Sequence, residues 1–185
     1  MTFGRLPYPI VLTGGGITLR EWRPDDLDDL IELLDEPDVA RWTPITSPFD
    51  LEAGIAYLNR AYQGRTSGQR IQLAITTDGG QPLGEVLLFG HDPGLNEAEL
   101  GYVVGAAHRR RGLASRSLDL LSAYARQELK LTRLLLRIDS RNAASCAVAR
   151  RCGYRRTAEP PILHDGANGP SRLETWELVD ARSGE

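Results

Sequence analysis

A short stretch at 105–115 combines residue types that suit an anionic ligand. It has the sequence GAAHRRRGLAS and connects a predicted strand to a predicted helix. The first N–H groups of a helix lack partners within the helix, and the helix dipole is positive at that end, so such a loop binds phosphate groups. Gly112 lets the backbone approach a ligand closely, and the arginines at 109–111 add positive charge. This stretch therefore favours the binding of a pyrophosphate.

Two common phosphate-binding motifs are missing from the sequence. There is no Gly-x-x-x-x-Gly-Lys-Ser/Thr, which excludes a P-loop, and no Gly-x-Gly-x-x-Gly, which excludes a dinucleotide fingerprint. Taken alone, 105–115 is also compatible with an ordinary helix start behind a solvated basic loop.

The formal net charge of −3 hides an uneven distribution. Residues 1–100 carry seven arginines and sixteen acidic residues, whereas 101–156 carry twelve arginines, one lysine and three acidic residues, a net charge of +10. A basic segment within an acidic chain indicates one anionic partner bound at one place. The acidic first part and the lack of aromatic residues among the arginines argue against a nucleic-acid-binding protein.

Hydrophobic periodicity predicts the elements that must position this loop. A strand at 17–22 is followed by a helix that Pro37 interrupts, an irregular loop at 41–49, and a second helix capped by Asp50. That second helix carries an apolar face made of Leu51, Ile55, Leu58 and Tyr62. Further strands are predicted at 71–76, 82–89, 97–104, 132–138 and 172–179, and further helices at 112–129 and 143–151. The order of elements predicts a mixed α/β sheet in one domain.

Length and composition limit the classes of protein. The 185 residues suit a loosely held N-terminal arm at 1–16, a single domain at 17–180 and a short tail at 181–185. No apolar run approaches the length of a membrane span, and the start of the chain does not resemble a secretory signal. Two cysteines and three scattered histidines give no disulfide framework and no metal-binding spacing. We expect a cytoplasmic protein with no metal and no membrane partner.

Five motifs in order resemble the Gcn5-related N-acetyltransferase (GNAT) superfamily. Arg109, Gly112 and Ala114 match its acetyl-CoA signature Arg/Gln-x-x-Gly-x-Gly/Ala. The other motifs match the start of the helix after the next strand, the Gly-aromatic step behind that helix, and two upstream segments typical of the RimJ/RimL-type branch. These segments are Asn142-x-x-Ser145, Gly153-Tyr154, Leu83-Gly84-Glu85 with Glu99-Leu-Gly-Tyr102, and LREW-x-Pro-x-Asp at 19–26.

The resemblance implies the GNAT acyl-CoA N-acyltransferase fold. In that α/β (α+β) fold, a central, mixed, mostly antiparallel twisted sheet is flanked by helices, and a splayed pair of parallel strands holds CoA. It further implies acetyl-CoA as the cosubstrate, with Asn142 near the thiol end of the pantetheine arm. The pantetheine amides would pair with the backbone of Tyr102, Val103 and Val104. The pyrophosphate would be held by the amides of Arg110, Arg111, Gly112, Leu113, Ala114 and Ser115.

The family reaction is direct attack of an amine on the thioester, which needs a proton acceptor and a donor to the leaving sulfur. Many members use a tyrosine after Asn142 as the donor, but this helix contains none, so Ser145 is the candidate, as in RimL-like enzymes. A hydroxyl that only bonds to nearby backbone is the alternative. Glu97 and Glu99 are candidate bases, and an ion-paired sheet edge is the alternative for each. The carboxylate that RimL-type members carry beyond the Gly-aromatic step has no secure match, because Glu159 is out of step.

These observations predict an N-acetyltransferase that acts on a primary amine, with the N-terminal α-amine of a protein as the RimJ/RimL-like acceptor. Two alternatives stay open: a small-molecule amine acetyltransferase for a polyamine, an aminoglycoside or an amino acid, and a non-catalytic acyl-CoA sensor. The chain is expected to be a monomer or a homodimer.

Overall fold

The computed structural model describes residues 2–166 and 169–179 of the chain. Five α-helices lie within these residues: α1 (Leu27–Leu34), α2 (Pro37–Trp42), α3 (Leu51–Thr66), α4 (Leu113–Gln127) and α5 (Ala143–Arg151). The strands are β1 (Val11–Gly14), β2 (Ile17–Glu21), β3 (Arg70–Thr76), β4 (Gly84–Asp92), β5 (Glu97–Val104), β6 (Arg133–Asp139), β7 (Arg155–Arg156), β8 (Ile162–Gly166) and β9 (Gly169–Val179).

All nine strands belong to one sheet. Their order is β1-β2-β3-β4-β5-β6-β9-β7, and β8 pairs with β9 beside this path. Every neighbouring pair is antiparallel except β5 and β6, which are parallel. The predicted mixed, mostly antiparallel sheet flanked by helices is thus confirmed.

Helices cover the two faces of the sheet. Ala98 and Leu100 of β5 pack with α4 in the larger hydrophobic cluster, whereas Val103 packs with residues of α1 to α3 in a smaller one. Because side chains alternate along a strand, these contacts place α4 on one face and α1 to α3 on the other. Phe49 is buried and Tyr57 packs beside it in the smaller cluster, so both serve as core residues.

The strands β5 and β6 separate along their length. Paired residues run only from Glu97, opposite Arg133, to Glu99, opposite Leu135. Within the described residues, no further pair joins the two strands, although β5 continues to Val104 and β6 to Asp139. The predicted splay of a parallel pair is therefore present, and it opens just beyond Glu99.

The structure corrects three local predictions. Residues 11–14, placed in the loosely held arm, form an edge strand that pairs with β2. The predicted irregular loop at 41–49 begins later, because α2 extends to Trp42. The glycines and prolines at 160–170 predict a loop, but much of this segment joins the sheet, since β8 and the start of β9 lie within it.

Three of the four residues on the apolar face predicted for the second helix point outward, whereas Leu58 is half-buried and packs in the smaller cluster. Leu51, Ile55 and Tyr62 are exposed, and α3 instead buries Gly54 and Ala61. A Cβ at Gly54 would lie 2.9 Å from Leu27 Cδ1. Small residues therefore let α3 pack closely on α1, and the large apolar side chains are left beside this contact.

No helix within the described residues is long and apolar enough to cross a membrane.

Candidate active site

A groove of about 490 Å³ lies where the end of β5, the start of α4 and α5 meet. It collects most of the residues that the sequence assigned to CoA. Those in its lining are Tyr102, Val103, Val104, Arg109, Arg110, Gly112, Leu113, Ala114, Ser115 and Asn142, together with the candidate donor Ser145. Arg111, Glu97 and Glu99 do not line this groove.

The loop before α4 presents a row of free backbone donors. Within the described residues, no hydrogen-bond acceptor contacts the N–H groups of 110–115. Arg110 and Gly112 both have positive φ angles, 61° and 72°. Left-handed residues in such a loop form a concave nest of N–H groups that binds anions, and α4 adds its positive dipole end. The loop can therefore hold a pyrophosphate.

Arg116 fixes the shape of this loop. Its guanidinium donates to the carbonyl oxygens of Gly15 at 2.7 Å, Arg111 at 2.9 Å and Gly112 at 3.3 Å. The loop carbonyls are thus turned toward Arg116. This arginine belongs to the basic segment but acts within the protein, a role that sequence reasoning did not foresee.

Arg109 is also directed inward. Its Nε donates to Val104 O at 3.0 Å, and its two terminal nitrogens donate to Glu36 at 2.8 Å and Asp38 at 2.7 Å. Glu36 accepts a further hydrogen bond from the N–H of Ala106 at 2.7 Å. Arg109 therefore connects the loop at 105–112, called the phosphate loop below, to α2, and its charge is balanced by two carboxylates.

The free edge of β5 is joined to α5 by one side chain. The Tyr102 hydroxyl donates to the backbone carbonyl of Ser145 across the gap, at 3.0 Å. Burial raises the pKa of Tyr102 well above its usual value. The phenol proton of Tyr102 is therefore bound to this carbonyl, and the Ser145 hydroxyl is the other candidate donor at this point.

Asn142 and Ser145 stand at the start of α5. Asn142 is the N-cap residue, and its side-chain oxygen accepts from the N–H of Ser145 at 3.0 Å. The Ser145 side chain lies within hydrogen-bonding reach of the Tyr102 hydroxyl, and no bond from it to nearby backbone, the alternative that the sequence allowed, is seen among the described residues. It is half-buried in the groove, where its hydroxyl can donate to a ligand atom.

The two candidate bases have different surroundings. Glu97 accepts from Arg133 at 2.6 Å, and Arg133 also binds Glu159 and Glu177. Glu99 is the last residue of β5 paired with β6, and its nearest ion-pair partner, Arg137, is 3.8 Å away. Burial raises the pKa of Glu99, opposed by the charge of Arg137. Glu97 therefore fits the ion-paired alternative. Glu99 has a longer ion-pair contact and lies where β5 and β6 begin to separate.

Glu85 is a buried carboxylate on β4. It accepts hydrogen bonds from Tyr57 at 2.6 Å, Trp22 at 2.8 Å and Gln72 at 2.9 Å. Burial raises its pKa, although all three donors oppose this effect. These contacts join β3, β4 and α3 to Trp22, the residue after β2, and Glu85 is buried and does not line the groove.

Sequence reasoning missed three groove residues on α5, which are Ala144, Val148 and Arg151. Val148 and Arg151 line the groove together with Asn142 and Ser145. The four positions are three residues apart, a spacing that places them on one face of a helix. The only signal in the sequence for Val148 and Arg151 was this spacing. It identifies groove residues only after Asn142 has been placed in the groove. Arg151 is exposed, and within the described residues it makes no ion pair.

The cysteines do not suit nucleophilic chemistry. Burial raises the pKa of Cys146 and raises that of Cys152 to about 12. A thiolate is the reactive form, so both thiols stay protonated and inert at neutral pH. Among the described residues, no group of histidine, cysteine and acidic side chains could hold a metal ion.

Solved structures share this architecture. Mycobacterium smegmatis RimJ, in complex with CoA-disulfide, superposes with a TM-score of 0.75 at 19% identity, over 96% of this chain and 89% of its own. Spermidine N-acetyltransferase from Vibrio cholerae, with CoA and spermine, gives 0.76 at 13% identity, over 90% and 96%. The microcin C7 self-immunity acetyltransferase MccE, with acetyl-CoA and AMP, gives 0.79 at 16% identity, over 90% and 94%. At these identities, the likeness shows the fold.

The family itself is shown by sequence. No curated protein sequence matches the chain significantly. The profile described as "Acetyltransferase (GNAT) domain" matches residues 17–155, most of the chain and all of the groove described above. The chain therefore belongs to the GNAT family of N-acetyltransferases, which use acetyl-CoA.

Proposed function

We propose that this enzyme acetylates the N-terminal α-amine of a protein, as RimJ/RimL-type enzymes do. One observation supports the assignment of acetyl-CoA as the acyl donor. The N–H groups of 110–115, which have no partner among the described residues, lie beside the free edge of β5 in one groove. A pyrophosphate at the loop and a pantetheine arm along β5 would use both features. The acceptor class rests on the RimJ/RimL-like motifs and on the similarity of the fold to RimJ.

We assign the residues of the loop and strand as predicted from the sequence, with one change. The amides of 110–115 hold the pyrophosphate, the backbone of Tyr102 to Val104 pairs with pantetheine, and Asn142 contacts the arm through its side-chain N–H. Arg109 supports the loop from behind rather than meeting a phosphate, because three of its five N–H donors bind Val104 O, Asp38 and Glu36 and the two carboxylates balance its charge. Arg110 and Arg151, which line the groove, supply the charge for the phosphates.

In the proposed reaction, the acceptor amine attacks the thioester carbonyl directly. A C–N bond forms, the C–S bond breaks, and the products are the acetylated amine and free CoA thiol. Glu99 takes the proton that the amine must lose, through a bridging water. The Ser145 hydroxyl donates to the leaving sulfur. The acidic first part of the chain favours a cationic acceptor by long-range attraction.

The test is thiol release from acetyl-CoA with four acceptor classes: peptides with basic N-termini, polyamines, aminoglycosides and amino acids. We expect turnover with the peptides and loss of turnover in Ser145→Ala. Turnover with only one of the other classes would change the proposed acceptor, but it would still support an acetyltransferase activity. CoA binding without turnover in any class would point to the sensor alternative.

A further inference from the structure

One tyrosine reaches from β5 across the gap in the sheet to α5. The ring of Tyr102 packs against the larger hydrophobic cluster, to which Cys146 and Ala149 of α5 belong. Its hydroxyl donates to the backbone carbonyl of Ser145 at 3.0 Å. Within the described residues, no other residue of β5 beyond Glu99 makes a hydrogen bond to α5. The contact between Tyr102 and Ser145 therefore sets where the start of α5 lies relative to the splayed end of β5.

Both backbone polar groups of Ser145 are held by side chains. Ser145 is the third residue of α5, where an N–H group has no acceptor within the helix. The side-chain oxygen of Asn142 accepts from this N–H at 3.0 Å, and Tyr102 donates to the carbonyl of the same residue. Because helix ends otherwise fray, these two contacts fix the backbone from which the Ser145 hydroxyl projects.

The Tyr102 hydroxyl is also within reach of the Ser145 side chain. Burial raises the pKa of Tyr102, and a hydrogen-bonding contact with the Ser145 side chain opposes this effect. A hydroxyl carries one proton and can accept at two positions, so the Tyr102 oxygen can accept from Ser145 while its proton stays on the carbonyl. Both residues line the CoA groove. The Ser145 hydroxyl thus has a fixed neighbour in the groove wall, from which it can turn to a ligand atom.

Tyr154 is a comparable tyrosine that supports the fold away from the groove. It is buried, and its hydroxyl lies 2.8 Å from the hydroxyl of Ser122 on α4. Burial raises its pKa, as it does that of Tyr102. Tyr154 does not line the CoA groove, whereas Tyr102 and Ser145 both do. Of the two tyrosine hydroxyls, only that of Tyr102 therefore contacts the residue assigned to the leaving sulfur.

We propose that the side chain of Tyr102 is a positioning residue for the Ser145 hydroxyl, in addition to the backbone contact with pantetheine proposed above. The phenol holds the first turn of α5 at a fixed distance from β5, so that the hydroxyl meets the sulfur of a thioester bound along β5. Tyr102 itself exchanges no proton with the substrate. A misplacement of about 1 Å at a reacting centre lowers the rate by about 100-fold. This role rests on the proposed function of Ser145.

A double-mutant cycle tests the proposal with acetyl-CoA and the peptide acceptor, or with the acceptor class that is turned over in its place. We expect Tyr102→Phe to lower kcat by about 10-fold while the Kd for CoA changes by less than about twofold, because the Ser145 hydroxyl is misplaced rather than removed. In the Ser145→Ala background, Tyr102→Phe should lower kcat by less than about twofold, since no hydroxyl is left to position.

Tyr154→Phe is the matched control, because it also removes a tyrosine hydroxyl and its hydrogen bond. Both variants should lower the midpoint of urea unfolding, but Tyr154→Phe should keep the kcat of the wild type. The positioning role would be overturned, and the proposed function kept, by an unchanged kcat in Tyr102→Phe, by the same loss with and without the Ser145 hydroxyl, or by an equal loss in Tyr154→Phe. A wild type without turnover, or an unchanged kcat in Ser145→Ala, would instead overturn the proposed function and the positioning role with it.

Discussion

At the scale of single residues, Gly112 is the position where any side chain would disturb the phosphate loop. Its φ of 72° is unfavourable for other residues, and its N–H is one of the free donors. We expect Gly112→Glu to weaken CoA binding by about 100-fold, or about 2.7 kcal/mol, because it adds strain and a negative charge. Titration calorimetry with CoA measures this loss.

Gly79 provides the matched control for this prediction. Its φ of 83° is similar, and a Cβ there would meet no atom within 4 Å. Gly79→Glu carries the same backbone strain on the β3–β4 turn, so it should retain CoA affinity. Equal loss in the two variants would show that strain alone is responsible and would remove the loop from the site.

Ser145 is expected to act on the chemical step alone. Ser145→Ala should lower kcat by about 100-fold, the scale of a lost transition-state donor, while the Kd for CoA stays unchanged. Ser140→Ala, an exposed serine in the turn before α5, should leave both constants unaltered. A rise in the Kd for CoA with unchanged kcat would make Ser145 a binding residue instead.

Glu99 should determine the acidic limb of the pH profile. A base must be ionised to act, and burial raises the pKa of Glu99, so kcat/KM should rise with pH through a midpoint above the ordinary glutamate pKa. Glu99→Gln should lose activity together with this limb. Glu97→Gln, at the Arg133 cluster, should keep the limb in place. A limb that persists in Glu99→Gln would identify another base.

At the scale of elements, α2 and the phosphate loop depend on the fork of Arg109. Its donors reach Glu36, Asp38 and Val104 O at once, which lysine cannot reproduce. Arg109→Lys should therefore raise the KM for acetyl-CoA and lower the free energy of unfolding by about 1–2 kcal/mol. Arg111→Lys is the control, because the Arg111 side chain makes no hydrogen bond or ion pair within the part of the chain that the structure describes. Full function in Arg109→Lys would mean that the charge alone matters.

Local signals in the sequence were sufficient for most elements near the site. The bounds of β5 and α5 are those predicted, because alternation and the Asn142 cap are encoded within each segment. The free N–H groups of the loop could also be predicted, because the first N–H groups of a helix have no acceptor within the helix. The orientation of Arg109 could not, because Glu36 and Asp38 lie about seventy residues earlier in the chain.

Long-range contacts also explain what local patterns could not predict. Three residues on the apolar face of α3 are exposed because Gly54 packs closely on α1, and periodicity alone predicts a face without saying whether it is buried. The strand β8 has the composition of a loop, and it exists because β9 offers an edge for pairing. Arg151 became recognisable only when α5 was placed beside the groove.

At the scale of the whole molecule, a buried ion pair joins parts of the fold that are distant in sequence. Arg20 on β2 binds both oxygens of Asp26 and also donates to the carbonyls of Gly79 and Gly80 in the β3–β4 turn. Breaking such a pair leaves an uncompensated buried charge, so Asp26→Asn should lower the free energy of unfolding by about 3–5 kcal/mol.

Urea unfolding compares this variant with Glu174→Gln. Glu174 pairs with Arg156, whose side chain is largely exposed, so the change should cost less than about 1 kcal/mol. If Asp26→Asn lowered the free energy of unfolding by a similarly small amount, the contact between β2 and the β3–β4 turn would not depend on the Asp26 carboxylate charge.

The gap beyond Glu99 has a mechanical consequence for the whole sheet. It divides nine strands into a block of five, β1 to β5, and a block of four, β6 to β9, joined by three residue pairs. A cosubstrate seated along β5 and against α5 touches both blocks and stiffens the seam between them. Occupied enzyme should then resist local opening, seen as slower amide exchange in β6 as well as β5. The cosubstrate would act as a temporary structural member of the sheet, removed and replaced in each catalytic cycle.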